Sequence, residues 1–141
     1  MFVPAAFGGM VLGPSPYLEL ADSPFLDRAG FVFEDFEDGS FDLPWASTSA
    51  GNPLAPAGNV DSVDGDDGAV DGFGREGWSF FSPSGGAGIT ISFDIGIDAP
   101  VITSAGLVWT DGAGLISFSA FDRDGNLIGT VDGTHADGGF G

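Results

Sequence analysis

Gly88-Ile89-Thr90-Ile91-Ser92-Phe93-Asp94-Ile95 carries an apolar side chain at every second position. Side chains of an extended chain point alternately to two faces. Ile89, Ile91, Phe93 and Ile95 therefore share one face, with Thr90, Ser92 and Asp94 on the other, which predicts a half-buried β-strand. Outward from this stretch, further extended runs are predicted at 31–36, 78–82, 106–110, 115–121 and 127–131, with a weaker one at 17–20. Clusters of Gly, Asp and Pro separate them. An apolar period of 3.6 residues nowhere lasts for three turns, so no long helix is expected. Short strands at this spacing predict an all-β chain: an antiparallel β-sandwich or jelly roll. Its core is expected to include Ile89, Ile91, Phe93, Val108, Phe118 and Val131, and Trp78 and Trp109 are read as core as well. Asp122-Arg123-Asp124-Gly125-Asn126 joins the runs 115–121 and 127–131, and its Asp-Gly pair predicts a hairpin turn.

The chain has 141 residues, 21 acidic against 3 basic, a formal charge of −18, no Cys and no Lys. The acids are 17 Asp and 4 Glu, a bias toward turns rather than helices. With 14 Phe and 3 Trp there is enough apolar surface to argue against a disordered acidic tail. One domain is expected over 14–141, preceded by an N-terminal arm at 1–13. The arm is apolar but lacks the basic start of a signal peptide, and it is too short to span a bilayer. Lack of Cys excludes disulfides, zinc-thiolate sites, iron–sulfur clusters and a cysteine nucleophile. Lack of Lys excludes Schiff-base chemistry. The negative charge disfavours nucleic acid and anionic membrane surfaces, and favours cations.

Three acidic clusters invite a cation: Glu34 to Asp38, the string DSVDGDDGAVDG from Asp61, and Asp122 with Asp124 and Asn126. Calcium takes six to eight oxygen ligands, which Gly/Asp loops supply as carboxylates and backbone carbonyls. The candidate ligands are Asp35, Glu37 and Asp38 in the first cluster and Asp61, Asp64, Asp66, Asp67 and Asp71 in the second. For the first cluster the expectation is a strand, with Asp35 and Glu37 on one face and Phe36 turned inward. No EF-hand spacing is present, and the lone His135 does not make a zinc site. The long Gly/Asp/Pro-rich segment between Pro53 and Gly77 is read as a loop and as the first place to look for a site. No G-x-S-x-G elbow occurs and nothing selects a catalytic carboxylate pair, so the chain is read as non-enzymatic. Trp45, following Pro44 in a loop, is the candidate aromatic platform for stacking on a sugar ring.

Tyr17-Leu18-Glu19-Leu20-Ala21-Asp22-Ser23-Pro24-Phe25, FEDFEDG from Phe33, DSVDGDDGAVDG from Asp61, SAGLVWTDG from Ser104 and FDRDGNLIG from Phe121 together resemble a group of bacterial exported proteins. Many members of that group end in a PEP-CTERM-type sorting tail. Phe36-Glu37-Asp38-Gly39 is also similar to the first strand of calcium-stabilised carbohydrate-binding jelly rolls, in which a Glu binds a structural calcium. The resemblance implies a secreted or cell-surface setting. It also implies that the sandwich, a jelly roll of the galactose-binding-like type, lacks its closing C-terminal strand or strands, with either a frayed end after Val131 or self-association along the open edge. The leading expectation is a surface module with structural calcium, and with a glycan or matrix component as its partner. Two other readings stand beside it: a purely structural surface protein, and a small glycoside-type hydrolase.

Overall fold

A computed structural model describes residues 9–15, 17, 20–55, 77–82, 87–94, 96, 101–109 and 115–134. Among them the chain is all-β apart from a 3-10 turn at Leu20–Asp22 and a 3-10 residue at Ala87. The described residues include six strands: β1 (Ala46–Thr48), β2 (Asn52–Leu54), β3 (Ser79–Phe81), β4 (Ile91–Phe93), β5 (Leu115–Phe121) and β6 (Leu127–Thr134). They form three antiparallel two-stranded ladders, β1–β4, β2–β3 and β5–β6. No helix among the described residues is long and apolar enough to cross a membrane.

The β5–β6 hairpin follows the sequence pattern closely. Phe118 pairs with Val131, Ile116 with Gly133 and Ala120 with Gly129, so one face is apolar or bare. The opposite face pairs hydroxyls and a carboxylate: Ser117 Oγ donates to Asp132 at 2.6 Å, and the Ser119 and Thr130 hydroxyls lie 3.0 Å apart. Such cross-strand pairs are the stabilising unit of a ladder. The register slips between Ala120 and Phe121, where Phe121 pairs with Leu127 and Ile128 is left over, a β-bulge. β6 continues past Val131 to Thr134, which pairs with Leu115, rather than fraying after Val131.

The apolar face of the hairpin meets the N-terminal arm. A Cβ on Gly129 would lie 2.5 Å from Val11, and one on Gly9 would run into the Ile128 side chain. Each glycine is thus a hole filled by the other segment's branched side chain. Pro14 borders Ile116, Phe118, Val131 and Gly133 on the same face. Trp109 meets Phe118 edge-on, with ring centroids 6.2 Å apart.

The other two ladders share a chain segment that changes partner. β1 pairs with β4 (Ala46 with Phe93, Thr48 with Ile91), and after a bend at 49–51 β2 pairs with β3 (Asn52 with Phe81, Leu54 with Ser79). Gly51 makes the bend. Its φ is +94°, and a Cβ there would lie 2.5 Å from the Phe80 ring and 2.7 Å from the Phe81 carbonyl oxygen. Phe80 in turn packs on Phe36 and Phe41, at centroid distances of 5.6 and 5.8 Å. Separately, Phe25 lies against Gly106 on one side and near the Arg28 guanidinium, 5.9 Å from the ring centroid.

Several sequence expectations are corrected here. The run 31–36 is not a strand; it leads into a turn in which Phe36 has a φ of +66°. Residues 106–109 form no strand, and Leu20 belongs to the 3-10 turn. β4 is shorter than 88–95, although Thr90 and Asp94 extend its pairing by backbone bonds to Ser49 and Trp45. None of the core candidates is fully buried: Ile89 and Val131 are half-buried, whereas Ile91 is 40% exposed and Phe93, Val108 and Phe118 are 36–37% exposed. Trp109 is 36% exposed, and Trp78 is half-buried. A strand with a neighbour on one side only, in a two-stranded ladder, cannot cover its apolar face by pairing.

Gly51→Ala is expected to destabilise the chain by about 1–3 kcal/mol from the left-handed backbone alone, with the Phe81 carbonyl contact adding to it. Urea unfolding of the variant beside the parent chain measures the loss. Gly30, whose φ is +77° but around which nothing lies within 4 Å, is the control that isolates the steric part.

Candidate functional site

The acidic segment 34–38 uses its carboxylates to build backbone rather than to form one face of a strand. Glu34 accepts the Phe36 and Asp42 N–H groups, one on each carboxylate oxygen, both at 3.0 Å. Asp35 accepts the Glu37 N–H at 3.1 Å and Asp38 accepts the Ser40 N–H at 2.8 Å, local bonds typical of Asx turns. Glu37 reaches further and accepts the Trp78 N–H at 2.8 Å, at the entry to β3. The Gly39 N–H donates to the Phe36 carbonyl at 2.8 Å, closing the turn that holds Phe36 at positive φ. Gly39 has a φ of +78° and lies under the Trp78 indole, which a Cβ would meet at 3.1 Å. The correction to the expected strand has a plain cause: carboxylates two residues from an N–H offer the backbone a partner that competes with ladder pairing.

Asp35, Glu37 and Asp38 are thus brought into one turn, with each carboxylate accepting a backbone donor. Asp61, Asp64, Asp66, Asp67 and Asp71 lie outside the described residues. Among the described residues, no three Asp, Glu or His side chains are grouped so as to hold a metal ion.

Trp45 stands at a cleft of about 310 Å³ lined by 44–47 and 92–94. Its position follows from the β1–β4 register. The Asp94 N–H donates to the Trp45 carbonyl at 2.6 Å, so the ladder runs one pair beyond Ala46–Phe93. Alternation then places Trp45 and Ser47 on the same face as Ser92 and Asp94, with Ala46, Ile91 and Phe93 on the other. Trp45 is half-buried, and Ser47, Ser92 and Asp94 are exposed. Asp94 is oriented by its own turn, Oδ1 accepting the Gly96 N–H at 2.9 Å. The cleft therefore combines an indole, two hydroxyls and a carboxylate, a set suited to stacking on a ring and bonding its hydroxyls.

Ser47, Ser92 and Asp94 were not singled out by sequence. The segment 45–49, Trp-Ala-Ser-Thr-Ser, has no alternation of polar and apolar residues that would mark it as a strand. No family model matches the chain, and comparison with curated proteins and with solved structures finds no match.

The third acidic cluster is a turn of the expected kind. Asp122 Oδ1 accepts the Asp124 and Asn126 N–H groups at 2.9 and 2.8 Å, and Oδ2 accepts the Asn126 amide at 2.9 Å. Gly125 adopts a φ of +82°, and its N–H donates to the Asp122 carbonyl at 3.0 Å. The Asn126 side chain first, then its backbone N–H, holds the Asp122 carboxyl below the usual carboxylate range. A carboxyl more acidic in the folded chain favours folding above its unfolded value, and that contribution disappears as pH falls through the folded value. Asp122→Ala is accordingly expected to melt at a lower temperature than the parent at about pH 7, with the gap narrowing as the pH falls from neutral through and below the ordinary aspartate range. Parallel melting curves across that range read the effect.

Proposed function

We propose that this chain is a non-enzymatic, exported or cell-surface β-sandwich module of the jelly-roll kind. It binds a glycan at the Trp45 cleft and takes up a structural calcium ion in the Asp-rich segment at 61–71. The observation that carries the glycan reading is the side-by-side placement of Trp45, Ser47, Ser92 and Asp94 on one face of the β1–β4 ladder. An indole covers the apolar face of a sugar ring, and neighbouring hydroxyls and a carboxylate exchange hydrogen bonds with its rim. Because the β1–β4 pairing is antiparallel and brings residues far apart in sequence together, the platform exists only in the folded chain.

Calcium uptake is supported by composition. The segment 61–71 places five Asp among glycines, in a chain of charge −18 with no Lys to pair them. A cation held there relieves the repulsion among those carboxylates and stabilises the folded state by mass action.

Two measurements test the reading. Trp45→Ala is expected to abolish retardation of the chain in gels containing a neutral polysaccharide that slows the parent, while its melting temperature stays close to the parent value. Calcium at a hundredfold excess over its dissociation constant is expected to stabilise the chain by about 2.7 kcal/mol. That appears as a rise in melting temperature reversed by chelator and lost when Asp64, Asp66 and Asp67 are changed together to Asn. A folded chain whose melting temperature ignores calcium removes the calcium part and leaves the glycan part standing.

A further inference from the structure

The face that carries Trp45 does not stop at the cleft. Beyond Ser47 and Ser92 the two chains stay joined, since the Ser49 N–H donates to the Thr90 carbonyl at 2.9 Å and the Thr90 N–H donates to Ser49 Oγ at 3.0 Å. Strand alternation therefore sets three cross-strand pairs in line on one face: Trp45 with Asp94, Ser47 with Ser92, and Ser49 with Thr90. All but the half-buried Trp45 are exposed. Residues 45 to 49 span roughly 13 Å at about 3.3 Å per residue, room for roughly two or three sugar rings in line. The strip offers hydroxyls along its length and an aromatic ring at one end, and none of its six residues is basic.

From this, and resting on the glycan reading above, we infer that the ligand is an extended, uncharged saccharide chain rather than a single sugar or an acidic polysaccharide. One ring stacks on Trp45, where Asp94 accepts hydrogen bonds from its hydroxyls. The following rings lie over Ser47 and Ser92, then over Ser49 and Thr90. Hydroxyls both donate and accept, which suits the same two-way chemistry on sugar rims. A uronate or sulfated chain would bring negative charge beside Asp94 on a chain of net charge −18, with no Lys or Arg on the strip to receive it.

The test uses the full chain and calorimetric titration with glucose-, mannose-, galactose- and N-acetylglucosamine-based saccharides of one to four units, and galacturonic acid oligomers of the same lengths. In the preferred neutral series, affinity is expected to rise about tenfold or more from one unit to three and then level off, while the galacturonate series does not bind. Thr90→Val keeps the branched shape of the side chain but removes its hydroxyl. It is expected to weaken three-unit binding severalfold and leave single-unit binding unchanged, whereas Trp45→Ala weakens both. If Thr90→Val fails to give the parent's circular dichroism, Thr90→Ala, which removes the same hydroxyl, takes its place with the same expectation. Affinity that depends on Trp45 but not on length overturns the inference and keeps the glycan reading. A preference for galacturonate overturns it as well. No binding by any saccharide of the panel removes both.

Discussion

The Phe80 ring joins three parts of the chain that the sequence keeps apart. It sits at the centre of β3, it packs on Phe36 and Phe41 from the acidic turn, and it fills the space over Gly51 where the chain leaves the β1–β4 ladder for β2–β3. Aromatic pairs at such distances contribute about 0.5–1.5 kcal/mol beyond their area, and here they act across a sequence gap of about 40 residues. The Glu37 carboxylate bonds the Trp78 N–H two residues before Phe80, so the same two segments are held by a hydrogen bond as well as by ring packing. Position of the 46–54 segment, and with it the register that presents Trp45, depends on this junction.

Charge is used in an uncommon way around that junction. In a chain with so few cations, most carboxylates have no basic side chain to meet, and six of the described ones turn to the backbone instead. Glu34, Asp35, Glu37, Asp38, Asp94 and Asp122 each accept at least one main-chain N–H. Bonds of this kind to an ionised acceptor are stronger than neutral ones. They also fix turns where no large apolar residue is at hand, which suits a sequence in which Gly and Asp carry much of the chain between strands.

How far the sequence revealed this arrangement depended on distance along the chain. The β5–β6 hairpin was legible because its two runs and its Asp-Gly turn are contiguous, and every signal needed to pair Leu115 to Phe121 with its partner lies within twenty residues. β3 was legible from Trp78-Ser79-Phe80-Phe81. β1 and β2 were not, because three residues such as Ala46-Ser47-Thr48 carry no period, and Pro53 argues against a strand although an edge position tolerates it. The run 31–36 misled for the opposite reason: Phe31, Val32, Phe33 and Phe36 give it the aromatic and β-branched content of a strand, but backbone N–H bonds to the Glu34 and Asp35 carboxylates bend the chain away from extension. Burial was overestimated because alternation reports which face is apolar and says nothing of what covers it. Of the site, Trp45 was legible as an aromatic residue in a loop. Its polar neighbours were not, since they join it only through a pairing between Ala46 and Phe93.

That pairing has a consequence for the order in which the molecule assembles. A hairpin such as β5–β6 closes over a short turn, on a scale of about 1–10 μs. The β1–β4 ladder must first close a loop some forty residues long, whose entropy is lost before any of its hydrogen bonds forms. Three residue pairs give little in return for that loss. The surface that presents Trp45 should thus be the last to form as the chain emerges and the first to open when it is stressed, a late and reversible structure resting on an early one.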